Sequence, residues 1–465
     1  MDSYGLEGHV TDFDMSKLMV SVAGIRGIVG DSLTPDIVTK YAAAFGTWLQ
    51  GGLVMLGTDS RPSRNMVKHA AIAGLTAVGC DVQDLGIAAT PTIQLWTEKT
   101  PNAKGGIALT ASHNPVEWNA LKLFDREGRF LDTNQGKELQ QLFHENRYSW
   151  VSWEKLGSVQ SIGNPLKLHI DAVLGCSLIQ PPKIRERQFK VAVDGVGGAG
   201  GPLMVRLLET LGCQVFPIGC EPTGIFHRNP EPVPEAVGEL CNLVKQHHAD
   251  IGFALDPDGD RLAVVDNTGR AVGEENTVVA AIDFVLKKNP GPVVVNLSTT
   301  QAVDDIAKRY GVSVTRSLVG ESHVAKEMKR VGAVIGGEGN GGVMFPEVHT
   351  SRDAAVGIAL ILQSLVEFGR TSNELFSELP QYVMLKEKVL LGSRNPETIL
   401  TELRKRWDSP YLDIQDGLKR LLPKGWIQVR PSNTEPILRI FVEANDQKQA
   451  NRYLDETKKL IESIL

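Results

Sequence analysis

Three segments of the chain repeat one pattern of apolar and polar residues: a β-branched strand, a small polar loop, an amphipathic helix, a glycine and a second strand. They cover residues 54–86, 189–219 and 291–320. In the second segment, apolar side chains recur at helical spacing before a glycine ends the helix. A strand–helix–strand unit must bury its helix against a sheet, so each segment predicts an α/β domain.

The pattern changes after about residue 380. Two strand-like stretches, WIQVRPS (426–432) and PILRIFVEA (436–444), precede a helix-like stretch over 451–465. We therefore predict an α/β fold of three similar α/β domains followed by a smaller C-terminal α+β domain. The predicted domains cover residues 1–158, 159–265, 266–378 and 379–465.

Composition narrows the class of protein. The 465 residues carry a net charge of −6, too small an imbalance to indicate a nucleic-acid binder. We see no apolar leader in MDSYGLEGHVTDFD and no apolar run near the ~20 residues that a membrane helix needs. The five cysteines show no C-x-x-C spacing, which disfavours disulfide and zinc scaffolds. We expect a cytoplasmic protein that binds neither nucleic acid nor membranes.

Three alternating acids follow an apolar strand in IGFALDPDGDR (251–261), namely Asp256, Asp258 and Asp260. Carboxylates converging on one loop repel one another unless a cation joins them, so the pattern favours a divalent metal over a turn of solvated acids. Hard oxygen ligands in small number point to Mg²⁺. An EF-hand is excluded because Arg261 and Asn267 replace its required Gly and Glu.

A second motif supports a competing hypothesis. The stretch Gly195–Gly200 matches G-x-G-x-x-G after a strand, and Glu221 lies near the end of the next strand. This arrangement is typical of dinucleotide binding in an oxidoreductase. The alternative is that the glycines only allow a tight turn and close helix packing. We keep both interpretations open at this point.

Two further loops carry groups suited to sugar phosphates. RPSNTEPILR (430–439) places two arginines around hydroxyl and amide side chains, as phosphate sites do. GEGNGG (337–342) is expected to expose Glu338 and Asn340, whose side chains suit sugar hydroxyls. An ordinary polar turn and a flexible hairpin are the respective alternatives. In TASHNP (110–115), Ser112 is a turn residue, part of a Ser–His dyad, or a phosphoryl carrier.

Taken together and in order, TASHNP, DPDGDR, GEGNGG and RPSNTEP resemble the motifs of the α-D-phosphohexomutases. The resemblance runs from residue 21 to the end of the chain. It implies four domains around a central cleft and an isomerase that uses a phosphoserine. The stretches WNALKLF and HRNPEPVPE are most similar to the phosphoglucosamine mutase group, which implies conversion of glucosamine 6-phosphate to glucosamine 1-phosphate. Phosphoglucomutase/phosphomannomutase activity is the alternative.

The resemblance also implies roles for individual residues. Ser112 is the expected phosphoserine, and a sugar 1,6-bisphosphate is the expected intermediate and activator. Mg²⁺ is expected on Asp256, Asp258, Asp260 and the Ser112 phosphate. Lys122 is the candidate general acid/base, while His113 is expected to orient the loop. The expected anion and sugar contacts are Arg26, Arg261, Glu338, Asn340, Arg430, Ser432, Asn433, Thr434 and Arg439.

One position departs from the family pattern. Many members have Ser and then His where this chain has Asn340 and Gly342, so an imidazole proposed as a general base is missing. His349 and His323 are the candidates to replace it, although lone histidines are more often structural. The expected partner is a hexose or hexosamine phosphate, and we expect a monomer or homodimer.

Overall fold

Four β-sheets follow one another along the chain in the computed structural model, which describes residues 18–22, 24–392, 394–407, 411–432 and 437–465. Three sheets mix parallel and antiparallel pairs, and the last is wholly antiparallel. The predicted fold class, three α/β units and a C-terminal α+β unit, is confirmed. No helix in these ranges has both the length and the apolar character needed to cross a membrane.

The first sheet has seven strands in the order β1-β2-β6-β5-β3-β4-β7. Its strands are β1 (Met19–Ser21), β2 (Gly24–Ile28), β3 (Gly52–Thr58), β4 (Cys80–Ile87), β5 (Ala103–Leu109), β6 (Trp118–Phe124) and β7 (Val159–Ser161). Its helices are α1 (Pro35–Trp48), α2 (Arg64–Ala77), α3 (Thr90–Lys99) and α4 (Thr133–His144), followed by a 3₁₀ turn at Trp153–Lys155. The predicted unit over 54–86 is the parallel β3–α2–β4.

The second sheet has the strand order β11-β10-β8-β9. Its strands are β8 (Lys190–Asp194), β9 (Gln214–Ile218), β10 (Ile251–Leu255) and β11 (Leu262–Asp266). The accompanying helices are α5 (Pro165–Leu174), α6 (Pro181–Arg187), α7 (Gly200–Thr210) and α8 (Gly238–His247), with a 3₁₀ turn at Pro234–Ala236. The predicted unit over 189–219 is the parallel β8–α7–β9.

The third sheet has the order β13-β12-β14-β15-β16. Its strands are β12 (Val293–Asn296), β13 (Val314–Ser317), β14 (Ile335–Glu338), β15 (Gly342–Phe345) and β16 (His349–Arg352). Its helices are α9 (Glu274–Lys288), α10 (Ala302–Arg309), α11 (Glu321–Val331), α12 (Ala354–Phe368) and α13 (Ser372–Ser377). The predicted unit over 291–320 is the parallel β12–α10–β13.

The fourth sheet is antiparallel, in the order β17-β21-β20-β19-β18. Its strands are β17 (Val383–Leu390), β18 (Leu412–Asp413), β19 (Leu418–Leu422), β20 (Gly425–Pro431) and β21 (Ile437–Ala444). Two helices, α14 (Pro396–Trp407) and α15 (Gln447–Glu462), complete this unit. The domain boundaries given above stay predictions, and β7 joins the first sheet just beyond residue 158.

The apolar cores show which units are fused. One continuous cluster of buried side chains includes Leu207 on α7, Leu255 on β10 and Ile361 on α12, so the second and third sheets share a core. Most of the buried apolar side chains of the first sheet, and those of the fourth, form separate clusters. The loops that follow the strands of these two sheets are therefore supported by a single apolar core.

A buried His–Asp–His cluster links the first three units. Asp353, the N-cap of α12, accepts hydrogen bonds at Oδ2 from His169 Nε2 (2.7 Å) and His349 Nε2 (2.9 Å). Thr92 on α3 bonds His169 Nδ1 at 2.8 Å, and Asp353 Oδ1 caps the helix at Ala355 N. All of these side chains are buried. His349 is thus buried and bonded to Asp353 through Nε2, which supports a structural role, and its suggested role as a replacement base stays a prediction.

Replacing Asp353 with Ala removes the acceptor for both imidazoles and the cap of α12. We expect a loss of about 3 kcal/mol in the free energy of unfolding, from unpaired buried donors and a lost cap. Asp455→Ala, an exposed change on α15, is the matched control and should be near neutral. Urea unfolding followed by circular dichroism measures both, and equal midpoints for the two variants would contradict the role given to the cluster.

Candidate active site

The serine loop connects β5 to β6 at the carboxyl end of β5. Ser112 has a positive φ of 50°, a conformation that non-glycine residues seldom adopt. Arg61 holds the loop there: its guanidinium donates to Ser112 O (2.6 Å), Asn114 O (2.7 Å) and Pro115 O. Arg61 is fully buried and paired with Asp59 at 2.9 Å. The surrounding structure therefore fixes a strained backbone around the serine, which is typical of functional sites.

The three aspartates predicted as a metal site do converge. Asp256, Asp258 and Asp260 lie on the turn between β10 and β11, are fully buried, and place one carboxylate oxygen each within 4.8 Å of the others. Ser112 Oγ donates a hydrogen bond of 2.9 Å to Asp256 Oδ2. A hydroxyl and three carboxylates from two different sheets thus meet at one point.

The aspartate oxygens divide into two sets. Asp258 Oδ2 accepts from Lys122 Nζ and Thr90 Oγ1, both at 2.6 Å, and Asp260 Oδ2 accepts from Arg352 at 2.5 Å. The Oδ1 atoms of Asp258 and Asp260 are buried with no hydrogen-bond partner among the described residues. Unpaired buried oxygens are costly, so this donor set fits a hard divalent cation such as Mg²⁺.

The electrostatics of the trio agree with that reading. Burial, followed by the Asp260 and Asp258 charges, raises the pKa of Asp256 well above its usual range. Burial opposes ionisation of Asp258 too, but the Lys122 charge and the hydrogen bonds with Asp256, Lys122 and Thr90 together outweigh it and lower that pKa. Ionisation of Asp256 is therefore disfavoured by its neighbours, and a cation that joined the carboxylates would offset this repulsion.

Two arginines and a histidine surround the serine. Arg26 on β2 donates to Asn114 Oδ1 at 2.5 Å, and Arg261 pairs with Glu231 at 3.0 Å. Burial lowers the pKa of Arg26, with the Arg261 charge adding to the effect. Burial and the same two cations, Arg261 and Arg26, lower the pKa of His113 well below its usual value. His113, 3.4 Å from Ser112 Oγ, is therefore neutral, and the cations beside it suit an anionic group on the serine.

The motif Gly195–Gly200 packs against the metal loop. Ala199 N donates to Pro257 O at 2.7 Å, and a Cβ on Gly198 would lie 2.4 Å from that same oxygen. A Cβ on Gly200 would lie 3.1 Å from Gly259 Cα. The Pro257 carbonyl thus takes the place at the start of α7 where a pyrophosphate would bind. Close packing, and not dinucleotide binding, explains these glycines.

The glycine-rich loop from Gly337 to Gly342 lies beside the metal loop. Glu338 Oε1 accepts from Asn296 Nδ2 (2.8 Å) and Gly320 N (3.0 Å). Asn340 is partly exposed, and its Oδ1 accepts from Gly342 N at 3.2 Å. Leu262 N donates to Gly341 O at 3.1 Å, which ties this loop to the strand after the aspartates. His323, the other histidine suggested as a base, lies in the first turn of α11.

The predicted phosphate loop lies on the fourth sheet. Arg430 on β20 is directly opposite Arg439 on β21, so both side chains leave the same face. Arg430 pairs with Asp416 at 3.0 Å, and Asp416 also accepts from Val319 N of the third unit at 3.0 Å. Ser432 follows β20, whereas Asn433 and Thr434 lie outside the described residues.

Three residues of the site escaped the sequence analysis: Arg61, Thr90 and Arg352. Arg61 could have been found from the sequence, because it lies in the polar stretch that follows β3. Strands β3 and β5 run parallel, so this stretch and the serine loop after β5 lie at the same edge of the sheet. Thr90 and Arg352 had none. Their partners lie 168 and 92 residues away, and only the fold brings them together.

The packing role of Gly198 can be tested directly. Alanine at this position should displace the Pro257 carbonyl and distort the aspartate turn, so we expect metal binding to weaken about tenfold or more. Electron paramagnetic resonance with Mn²⁺ as the probe measures that affinity. Gly163→Ala, which points into open space, is the control and should leave it unchanged. Unchanged Mn²⁺ affinity in Gly198→Ala, with saturable NADH binding by the parent protein, would restore the dinucleotide hypothesis.

Comparison with known proteins identifies the family of this chain. Family models described as phosphoglucomutase/phosphomannomutase alpha/beta/alpha domains I, II and III and C-terminal domain match residues 17–149, 167–269, 273–383 and 388–460. A phosphoglucomutase/phosphomannomutase of Thermococcus kodakarensis is 37% identical over 97% of this chain and 100% of its own. A probable phosphoglucosamine mutase of Methanopyrus kandleri is 34% identical over 93% of this chain and 95% of its own. A crystal structure of a phosphoglucomutase/phosphomannomutase family protein from Burkholderia thailandensis matches with a TM-score of 0.83 at 26% identity, over 96% of this chain and 97% of that one. With family models matching along most of its length, the chain belongs to the phosphoglucomutase/phosphomannomutase family.

Proposed function

We propose that this phosphohexomutase moves a phosphoryl group between the 6- and 1-positions of a hexosamine through a phosphoserine at Ser112. The observation that carries the proposal is the hydrogen bond of 2.9 Å between Ser112 Oγ and Asp256, inside a carboxylate trio with two unpaired oxygens. A serine hydroxyl is a poor nucleophile and a poor leaving group unless cations stabilise its charged form. This serine lies among Arg26, Arg261 and the predicted metal ligands.

The reaction consists of two phosphoryl transfers. In the first, the bond between phosphorus and Ser112 Oγ breaks as the free sugar hydroxyl bonds to phosphorus, and the hydroxyl proton passes in net terms to Ser112 Oγ. The resulting sugar 1,6-bisphosphate turns around in the cleft. The second transfer returns its other phosphate to Ser112. Such transfers depend chiefly on in-line positioning and on neutralising the equatorial oxygens.

The proposed ligands divide the charge of the site. Asp256, Asp258 and Asp260, with the Ser112 phosphate, would hold Mg²⁺, which neutralises charge on the transferring group when bound. Arg26 and Arg261 would hold the phosphate on the serine, and Glu338 and Asn340 the sugar hydroxyls. The phosphate that does not react would be held by Arg430, Ser432, Asn433, Thr434 and Arg439.

We propose glucosamine 6-phosphate as the substrate, with glucose and mannose phosphates as the alternative. The Methanopyrus relative and others named as probable phosphoglucosamine mutases support the first choice, and the Thermococcus relative supports the second. A coupled assay with Mg²⁺, a sugar bisphosphate and the three sugar phosphates side by side decides between them. We also propose a cytoplasmic location, which is consistent with five free cysteines.

Replacing Ser112 with Ala removes the proposed carrier oxygen. We expect turnover to fall roughly 10⁴-fold or more, because alanine has no oxygen to carry the phosphoryl group. Intact-mass spectrometry should find partial phosphorylation in the parent protein and none in the variant. Ser152→Ala, an exposed serine with no capping bond, is the control. Full activity in Ser112→Ala would refute the phosphoserine mechanism.

Lys122 is the proposed proton donor and acceptor, since its Nζ lies among the aspartates, 2.6 Å from Asp258 Oδ2. Lys122→Gln should reduce kcat about 10²-fold, the usual contribution of general acid–base catalysis, and leave phosphorylation of Ser112 detectable. Lys104→Gln, an exposed change on the adjacent strand β5, is the control. An unchanged kcat and pH profile in Lys122→Gln would rule this role out.

A further inference from the structure

Arg352, the last residue of β16, is bound to three carboxylates from three separate elements. Its Nη2 lies 2.5 Å from Asp260 Oδ2, its Nε 3.0 Å from Glu321 Oε2, and its Nη1 3.1 Å from Glu338 Oε2. Only 10% of its side chain is exposed. Each guanidinium nitrogen therefore has its own acceptor, an arrangement that a lysine ammonium cannot reproduce.

The place that Arg352 occupies exists because residue 342 is glycine. A Cβ at Gly342 would lie 2.3 Å from Arg352 Cδ and 2.7 Å from its Cγ. These methylene carbons belong to the stem that directs the guanidinium toward Asp260 and Glu338. Any larger residue at 342 would push that stem away, so the bare glycine and the arginine form one structural unit.

The neighbouring carboxylates stabilise the charged form of the buried Arg352 guanidinium. Burial alone would lower the pKa of Arg352, but Asp260, Glu338 and Glu321 outweigh it and raise that pKa above its usual value. Glu321 is fixed in turn by Gln94 of α3, whose Nε2 donates to its Oε1 at 2.9 Å. Arg352 is therefore linked to the first unit through Glu321, and it contacts the aspartate turn and the glycine-rich loop directly.

The two loops have different proposed tasks but share this one cation. Arg352 donates to Asp260 Oδ2, while Asp260 Oδ1 is buried without a hydrogen bond and lies 3.9 Å from Arg261 Nε. Its Nη1 pairs with Glu338 Oε2, while Asn296 Nδ2 and Gly320 N donate to Glu338 Oε1. The orientation of a proposed metal ligand and that of a proposed sugar ligand thus depend on the same side chain.

We propose that Arg352 is a positioning residue that couples metal binding to sugar binding, with Gly342 providing the space for it. The coupling to sugar rests on the proposed function, whereas the effect on the metal site does not. Without Arg352, both carboxylates lose their shared partner and can rotate or repel each other. Loss of the guanidinium should therefore weaken the affinity for the divalent cation and raise the KM for the sugar phosphate together.

The first test compares Arg352→Gln and Arg352→Lys with the parent protein. Arg352→Gln should weaken Mn²⁺ binding, measured by electron paramagnetic resonance without substrate, about tenfold or more. In the mutase assay it should also raise the sugar KM by a similar factor. Arg352→Lys restores the charge at one carboxylate only and should recover part of each loss. Arg330→Gln, an exposed arginine on α11, is the control and should change neither.

The second test uses a double-mutant cycle. Gly342→Ala should reproduce both defects while leaving the arginine in the sequence, and adding it to Arg352→Ala should cause little further loss because the clash is gone. Fully additive losses would overturn the proposal. So would a folded Arg352→Gln with parental Mn²⁺ affinity; if that variant does not fold, parental affinity in Arg352→Lys would do the same. A parent protein without mutase activity would refute the proposed function, while the Mn²⁺ measurements would still test Arg352.

Discussion

The repulsion among three buried carboxylates is the constraint on which the rest of the site depends. Asp256, Asp258 and Asp260 are fully removed from water, where like charges within a few ångströms of one another are strongly unfavourable. The chain meets this cost with partners drawn from different units. Lys122 and Thr90 come from the first unit, and Arg352 comes from the third. The site is therefore held together electrostatically around a turn of five residues.

The units are joined by an apolar core in one place and by polar contacts in another. The second and third sheets share an apolar core, so the aspartate turn and the glycine-rich loop keep a fixed distance. The fourth sheet has its own core and meets the third through polar contacts such as Ser298 Oγ to Gln428 Oε1 (2.7 Å) and Lys386 Nζ to Glu274 Oε1 (2.7 Å). Polar interfaces of this kind between domains are compatible with relative motion. The proposed metal ligands and the glycine-rich loop thus lie on the packed second and third units, whereas the proposed phosphate anchor lies on the unit joined by polar contacts.

The clustering of the aspartates could be predicted from consecutive residues, since the acids alternate on a turn after an apolar strand. Ser112 also stands in a short motif after a strand, and the roles given to all four residues stay predictions. The sequence was ambiguous at Gly195–Gly200, because a tight helix–strand junction and a pyrophosphate site require the same glycines. Only the position of Pro257 O decided between them. Thr90 and Arg352 could not be predicted, since nothing near them in the sequence indicates partners so distant along the chain.

Gly342 shows why a missing side chain is a weak basis for inferring a missing function. Read along the chain, Asn340 and Gly342 replace a serine and a histidine, and the natural question is which other histidine compensates. In space, the volume beside residue 342 is filled by the stem of Arg352, and His349 is occupied elsewhere with Asp353. The positive charge beside Asp260 and Glu338 therefore comes from a neighbouring strand.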